Sequence, residues 1–228
     1  MIECMRCVRL KVEDILKELE NNSNPSRKKT LIKAGASENT YGVLLGYLRK
    51  YANKIGINHE LAYKLWETKN TDARLLAVML FDPKMLTAID VLRLLETETF
   101  EQIIDDFMFR VGIFIKEQNL LYDTLIMIDS DLLNRAAWVI KVEMVRLKKL
   151  DNKDVYELIK EITSKLVTSS KHTQWMMNRC FAQIGITYES FRDEVLKIAE
   201  NLGVYKQMKV APNCTSAYVP DWIHAVVK

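Results

Sequence analysis

Arg135, Arg146 and Lys149 are the residues in this chain best spaced to hold an anion. Together with Val142 they stand seven, eleven and fourteen residues apart, steps that return to roughly the same face of a helix with 3.6 residues per turn. The stretch that carries them, Leu132 to Lys149, reads LLNRAAWVIKVEMVRLKK. Its apolar positions Leu132, Leu133, Ala136, Ala137, Ile140, Met144 and Leu147 form a second stripe, suited to a core. Asp129, Ser130 and Asp131 offer N-caps, and the basic last turn suits the negative end of the helix dipole. Such a helix can sit in a scaffold on one side and grip a phosphate on another.

Other chemistry is sparse. Asp105 and Asp106 are neighbouring carboxylates on a helix-forming stretch and are the candidates for a catalytic acid or base. Lys28, Lys29 and Lys33 form a basic cluster suited to tracking a nucleic-acid backbone. Asn178 and Arg179 add polar groups to an otherwise apolar helix. Cys4 and Cys7 make one CxxC, but a zinc site needs a second pair or histidines at matching spacing, and Cys180, Cys214 and three scattered histidines do not supply it. No Gly-rich phosphate loop and no nucleophile–base constellation is present. Neither a metal nor a cofactor is expected. Trp66, Trp138 and Trp222 read as core, as do Met144, Met176 and Met177. Trp175 stands apart, beside His172, Gln174 and Asn178.

The elements that must position these residues are helices. Apolar residues make up 49% of 228, whereas glycines number 7 and prolines 4, too few turn formers for a sandwich or barrel. With 33 basic and 30 acidic residues, net charge alone does not announce a nucleic-acid binder. No apolar run is long enough to span a membrane, and the charged N-terminus is unlike a signal peptide, which predicts a cytoplasmic protein with reduced thiols. Helices are predicted over 8–21, 41–55, 59–68, 71–81, 85–95, 97–116, 120–128, 132–149, 152–168, 172–184 and 187–202. The polar segment 28–39 is read as mobile. Gly56, Gly185 and Gly203 are predicted stops. Short links between antiparallel-length helices, with irregular pairing, suit an all-α HEAT- or armadillo-like α-solenoid. A single domain over 1–228 is expected: N-terminal helices and a turn-rich segment to residue 40, repeats over 41–203, and an irregular or hairpin tail over 204–228 that caps the last repeat.

Several motifs, in order, carry a resemblance. They are Tyr41-Gly42-Val43 with Leu48-Arg49-Lys50, Leu61-Ala62 through Leu65-Trp66, and the run from Asp72 to Ala77. Asn134-Arg135-Ala136-Ala137 follows, then Met177-Asn178-Arg179 with Ile184-Gly185, and finally the run from Cys214 to Ile223. Over about residues 40–224 this resembles the AlkD-like DNA alkylation repair family, the HEAT-like repeat DNA glycosylases. The resemblance implies a superhelix with a basic concave face for duplex DNA. Active members of the family excise cationic N3- or N7-alkylpurines, using a carboxylate near the sugar, tryptophans around the lesion and an arginine on phosphate. Of these, only the arginine matches, at Arg135. Phe107 falls on the expected tryptophan and Val111 on the expected aspartate. Phe181 or Ala182 takes the place of the second tryptophan, with Trp175 about two turns early.

The expectation is therefore a monomeric DNA-binding protein that grips duplex, damaged or branched DNA by its phosphates, with weak or no glycosylase activity. Arg135, Arg146, Lys149, Asn178, Arg179, Lys28 and Lys29 are its expected DNA contacts. Two alternatives stand beside it: an active alkylpurine glycosylase using Asp105 or Asp106, and a helical-repeat scaffold for protein partners.

Overall fold

The computed structural model describes residues 10–212 and 214–227. Cys4, Cys7 and the predicted helix start at Val8 lie outside them. Among the described residues all regular structure is helical. They gather into two compact units, one ending at Lys116 and the other beginning at Glu117.

The first unit is built around a buried helix. Helices α1 (Val12–Asn21), α2 (Pro25–Lys33), α3 (Leu45–Ile55), α4 (His59–Glu67), α5 (Thr71–Leu80), α6 (Ala88–Glu96) and α7 (Glu101–Arg110) follow one another. Every residue of α5 except Met79 is buried. α3, α4 and α7 pack around it. Local capping starts several of these helices: Asn58 accepts from the Leu61 N–H, Asn70 from Ala73, and Thr87 forms a reciprocal box with Asp90. Trp66, Phe81 and Phe107 meet edge-to-face in the core, and the Trp66 indole N–H donates to Thr97 Oγ1 at 3.0 Å.

Helix α2 replaces the expected polar, mobile segment. Asn24 accepts from the Arg27 N–H at 2.9 Å, and Pro25 supplies a preset φ at the first position. Only Leu31 of α2 is buried, so the sequence has no apolar stripe to announce a helix. The chain then approaches α3 closely against the first turn of α2. Gly42 has φ 76°, and a Cβ there would lie 2.6 Å from the Asn24 carbonyl oxygen and 2.8 Å from Lys28 Cα. Only glycine meets both demands. Asp72 of α5 fastens this approach, its carboxylate accepting from the N–H groups of Tyr41, Gly42 and Val43 and from the Thr40 hydroxyl. Two residues on, Arg74 reaches the start of α7: its guanidinium meets Glu98 at 2.9 Å and donates to the carbonyls of Trp66 and Thr97.

Helix α7 is shorter than its expected end at Lys116. Val111 leaves helical geometry at φ −124°, ψ −60°, and a 3-10 turn over Gly112–Phe114 follows. Ile113 and Ile115 are buried on either side of Phe114, which is 59% exposed. Core burial of the flanking isoleucines overrides the helical periodicity and holds the phenylalanine out.

The second unit contains α8 (Gln118–Met127), α9 (Asp131–Arg146), α10 (Asn152–Lys165), α11 (Lys171–Thr187), α12 (Arg192–Leu202) and α13 (Val219–Val226). Its largest helix pairing is α9 with α11. Gly185 is not a stop. It lies inside α11, where a Cβ would collide with the Ile223 side chain and stand 3.2 Å from Val195. The missing side chain lets α13 seat on α11. Gly203 does end α12, in left-handed geometry. The tail is turn-rich and then helical: Asn178 donates to the Ala217 carbonyl at 2.8 Å, and α13 covers the end of the unit with Val219 and Ile223 buried.

Candidate nucleic-acid interface

The anchoring seen in the first unit recurs around Arg135. Asp131, in the first turn of α9, accepts from the N–H groups of His172 and Thr173 and from the hydroxyls of Ser170 and Thr173. Burial alone would raise its pKa, but these donors outweigh it and hold the carboxyl at about 2. Arg135, one turn along α9, donates to the His172 carbonyl at 3.3 Å. Carboxylate and guanidinium together hold the opening turn of α11. Arg135 is 4% exposed, so the arginine expected on phosphate is placed inside the fold, where it holds one helix against another.

The other expected contacts fall in different settings. Arg146 lies eleven residues beyond Arg135, roughly 16 Å along the helix at 1.5 Å per residue, so the two do not form one cluster. Its guanidinium is engaged by Glu143, at 2.7 Å, and remains half exposed. Lys149 is exposed past the end of α9, beside Lys148 in left-handed geometry. Asn178 is 1% exposed and anchors the tail, whereas Arg179 is half-buried next to it. Lys28 is half-buried and Lys29 exposed on α2. Trp66 and Trp138 are core, while Trp222 and Trp175 are half-buried and line a small apolar cleft in the tail.

The run of cations extends well beyond Lys28 and Lys29. Between Asn22 and Asn58 the chain carries seven Lys or Arg residues and one acid, Glu38, leaving 26 basic against 29 acidic residues elsewhere. Six of the seven are on α2 or α3 faces open to water: Lys28, Lys29, Lys33, Arg49, Lys50 and Lys54. Neither helix contains an acid. The seventh, Arg27, ties α2 to the segment leading into α3 by donating to the Val43 carbonyl at 3.1 Å. A count of charge along a sliding window reveals this surface; helical periodicity does not.

One end of that surface opens into a cleft. Arg49 and Asn53 of α3, Phe109 and Arg110 of α7, and Phe114 beyond it line a cavity of about 380 Å³. Asp106 stands behind Arg110 at 3.9 Å. Burial pushes the Asp106 carboxyl up, against the pull of Arg110 and Arg49, and neighbouring Asp105 adds to the rise. Asp105 is half-buried and shows no comparable setting in a cleft. Among the described residues no group of acids, histidines and cysteines is arranged to hold a metal ion. No described helix is long and apolar enough to cross a membrane.

Comparison with known proteins agrees with this helical architecture. Two relatives of similar length are the uncharacterized protein Lmo0209 of Listeria monocytogenes, 26% identical over 218 residues, and the uncharacterized protein Lin0241 of Listeria innocua, 26% identical over 219. In each case 92% of this chain and 93% of the relative are covered. A solved structure superposes with a TM-score of 0.80 at 22% identity, covering 95% of this chain and 93% of the other. It is described as belonging to a new family of proteins related to the HEAT-like repeat DNA glycosylases, with affinity for branched DNA structures. The fold is thus all-α and HEAT-like. Residues 15–209 match the model of the DNA alkylation repair enzyme family. With that match over most of its length, the chain belongs to the DNA alkylation repair enzyme family.

Proposed function

We propose that this protein binds DNA through phosphate contacts made by the cations of α2 and α3; within the second unit, the exposed cations near the end of α9 and Arg179 are candidates for phosphate contact. The observation that carries the reading is the charge segregation between Asn22 and Asn58. Clustered lysines and arginines on successive helices neutralise phosphates and release counterions, a sequence-independent source of affinity. A protein scaffold would not need two successive helices that carry cations and no acid. The solved relative's described affinity for branched DNA supports the same reading. Arg135 and Asn178 serve the fold in this view. Measuring affinity for a short duplex across a salt series tests it: a steep linear fall of log affinity with log salt is expected, and a flat dependence refutes it.

A second reading is favoured by Asp106, a half-buried carboxyl raised by burial that stands behind Arg110, one of the two arginines lining the cleft. Acids with perturbed pKa values beside a cleft are candidates for catalysis. In this reading Asp106 supports removal of an alkylated purine. Base release from a 7-methylguanine duplex, abolished by Asp106→Asn, would establish it; no release from the wild-type protein would eliminate it.

A further inference from the structure

The cleft between α3 and α7 combines features that phosphate tracking alone does not require. Two guanidiniums, Arg49 and Arg110, stand at one cavity with the Asn53 amide between apolar walls. Asp106 stands 3.9 Å behind Arg110, an ion pair too long to be a hydrogen bond. Phe114 and Ile57 are 59% and 65% exposed at the mouth. Folding gains little from an exposed phenylalanine, yet the buried isoleucines on both sides hold Phe114 outward. The cavity, about 380 Å³, lies at the low end of the roughly 300–1,000 Å³ of small-ligand clefts. That is room for one nucleotide unit and too little for a paired duplex.

We infer that this cleft receives a single unpaired nucleotide of the bound DNA, with its phosphate between Arg49 and Arg110 and its base against Phe114. The inference rests on the proposed DNA binding and says which part of a DNA is recognised. Guanidiniums fit phosphate oxygens as paired donors, and an aromatic ring accepts any base face, so recognition is for an unpaired state and not for a sequence. The Asn53 amide can donate to or accept from a base edge. A fully paired duplex offers the lysine face of α2 and α3 its phosphates but leaves the cleft empty. Nicks, bulges and branch points each supply the missing unit.

The experiment compares two duplexes that differ only by one extrahelical nucleotide, by fluorescence anisotropy, with wild-type protein, Phe114→Ala and Phe114→Tyr. Wild type should bind the bulged duplex about tenfold more tightly, the scale of one base–aromatic stack. Phe114→Ala should abolish that preference while leaving affinity for the paired duplex unchanged, and Phe114→Tyr should restore it. Because Phe114 is exposed, the alanine variant should fold; a circular dichroism melt checks this. Equal binding of the two duplexes by wild type overturns the inference while leaving DNA binding intact. So does a preference that survives Phe114→Ala. Failure to bind either duplex overturns both this inference and the proposed function.

Discussion

Lys29, Lys33, Lys50 and Lys54 are exposed on the basic helices, and none makes an ion pair among the described residues. Replacing all four by glutamine removes four cations without disturbing a buried contact. Each phosphate no longer neutralised should reduce the log–log salt slope by about 0.9, so the four together reduce it by about 3.6. Between 50 and 200 mM salt, a fourfold change, wild type should then lose about 10²-fold more affinity than the variant. Surface substitutions of this kind change stability by only about 0.5 kcal/mol each, and removing like charges from one face relieves repulsion. The assay is duplex binding by anisotropy at five or six salt concentrations, with thermal melting as the folding control. Parallel salt slopes for wild type and variant, with both still binding, would refute the assignment of phosphate contacts to this face.

Within each unit, buried anchors set three further outcomes. Arg74→Ala strands the Glu98 carboxylate, both side chains being 6% exposed, and should cost about 3–5 kcal/mol in urea unfolding. An unchanged midpoint would mean that the pair is not buried in solution. Gly42→Ala imposes a left-handed conformation on alanine and drives its Cβ into the first turn of α2, a loss of more than about 1–2 kcal/mol readable by thermal melting. Asp131→Asn should destabilise the protein at neutral pH. Because the folded carboxyl titrates near 2, below its usual 3.8, its contribution is present above the unfolded value and fades as pH falls toward 2. Wild type and variant should therefore converge in stability on acidification, and a gap that widens there would contradict the sign.

The helices legible in the sequence were those with local signals. Asn58, Asn70 and Gly203 lie within a turn of the boundaries they set, and the apolar stripe of α9 repeats at helical spacing. Features set by distant partners were not legible. Helix α2 has one buried residue, so its periodicity is silent. The end of α7 is decided by burial of Ile113 and Ile115, and Gly185 by a helix nearly forty residues later. The same distinction governs the site. Lys28 and Lys29 are visible as a cluster, but Arg49 and Arg110 share a cleft only after α3 and α7 pack around α5. Arg135 looked like a phosphate ligand because a stripe of cations on one helix says nothing of what the next helix places over it.

The hold of Asp131 on His172 and Thr173 has a consequence for the order in which structure is made and lost. Ser170, the residue at the N-cap of α11, gives it no side-chain cap; the carboxylate that replaces one arrives from about forty residues earlier in the chain. α4 and α6, with their own caps, can begin as isolated turns. The opening turn of α11 instead takes its side-chain acceptor from α9. In amide hydrogen exchange, His172 and Thr173 should accordingly open together with the start of α9 as one cooperative unit, while the loosely held α2 exchanges on its own, faster clock.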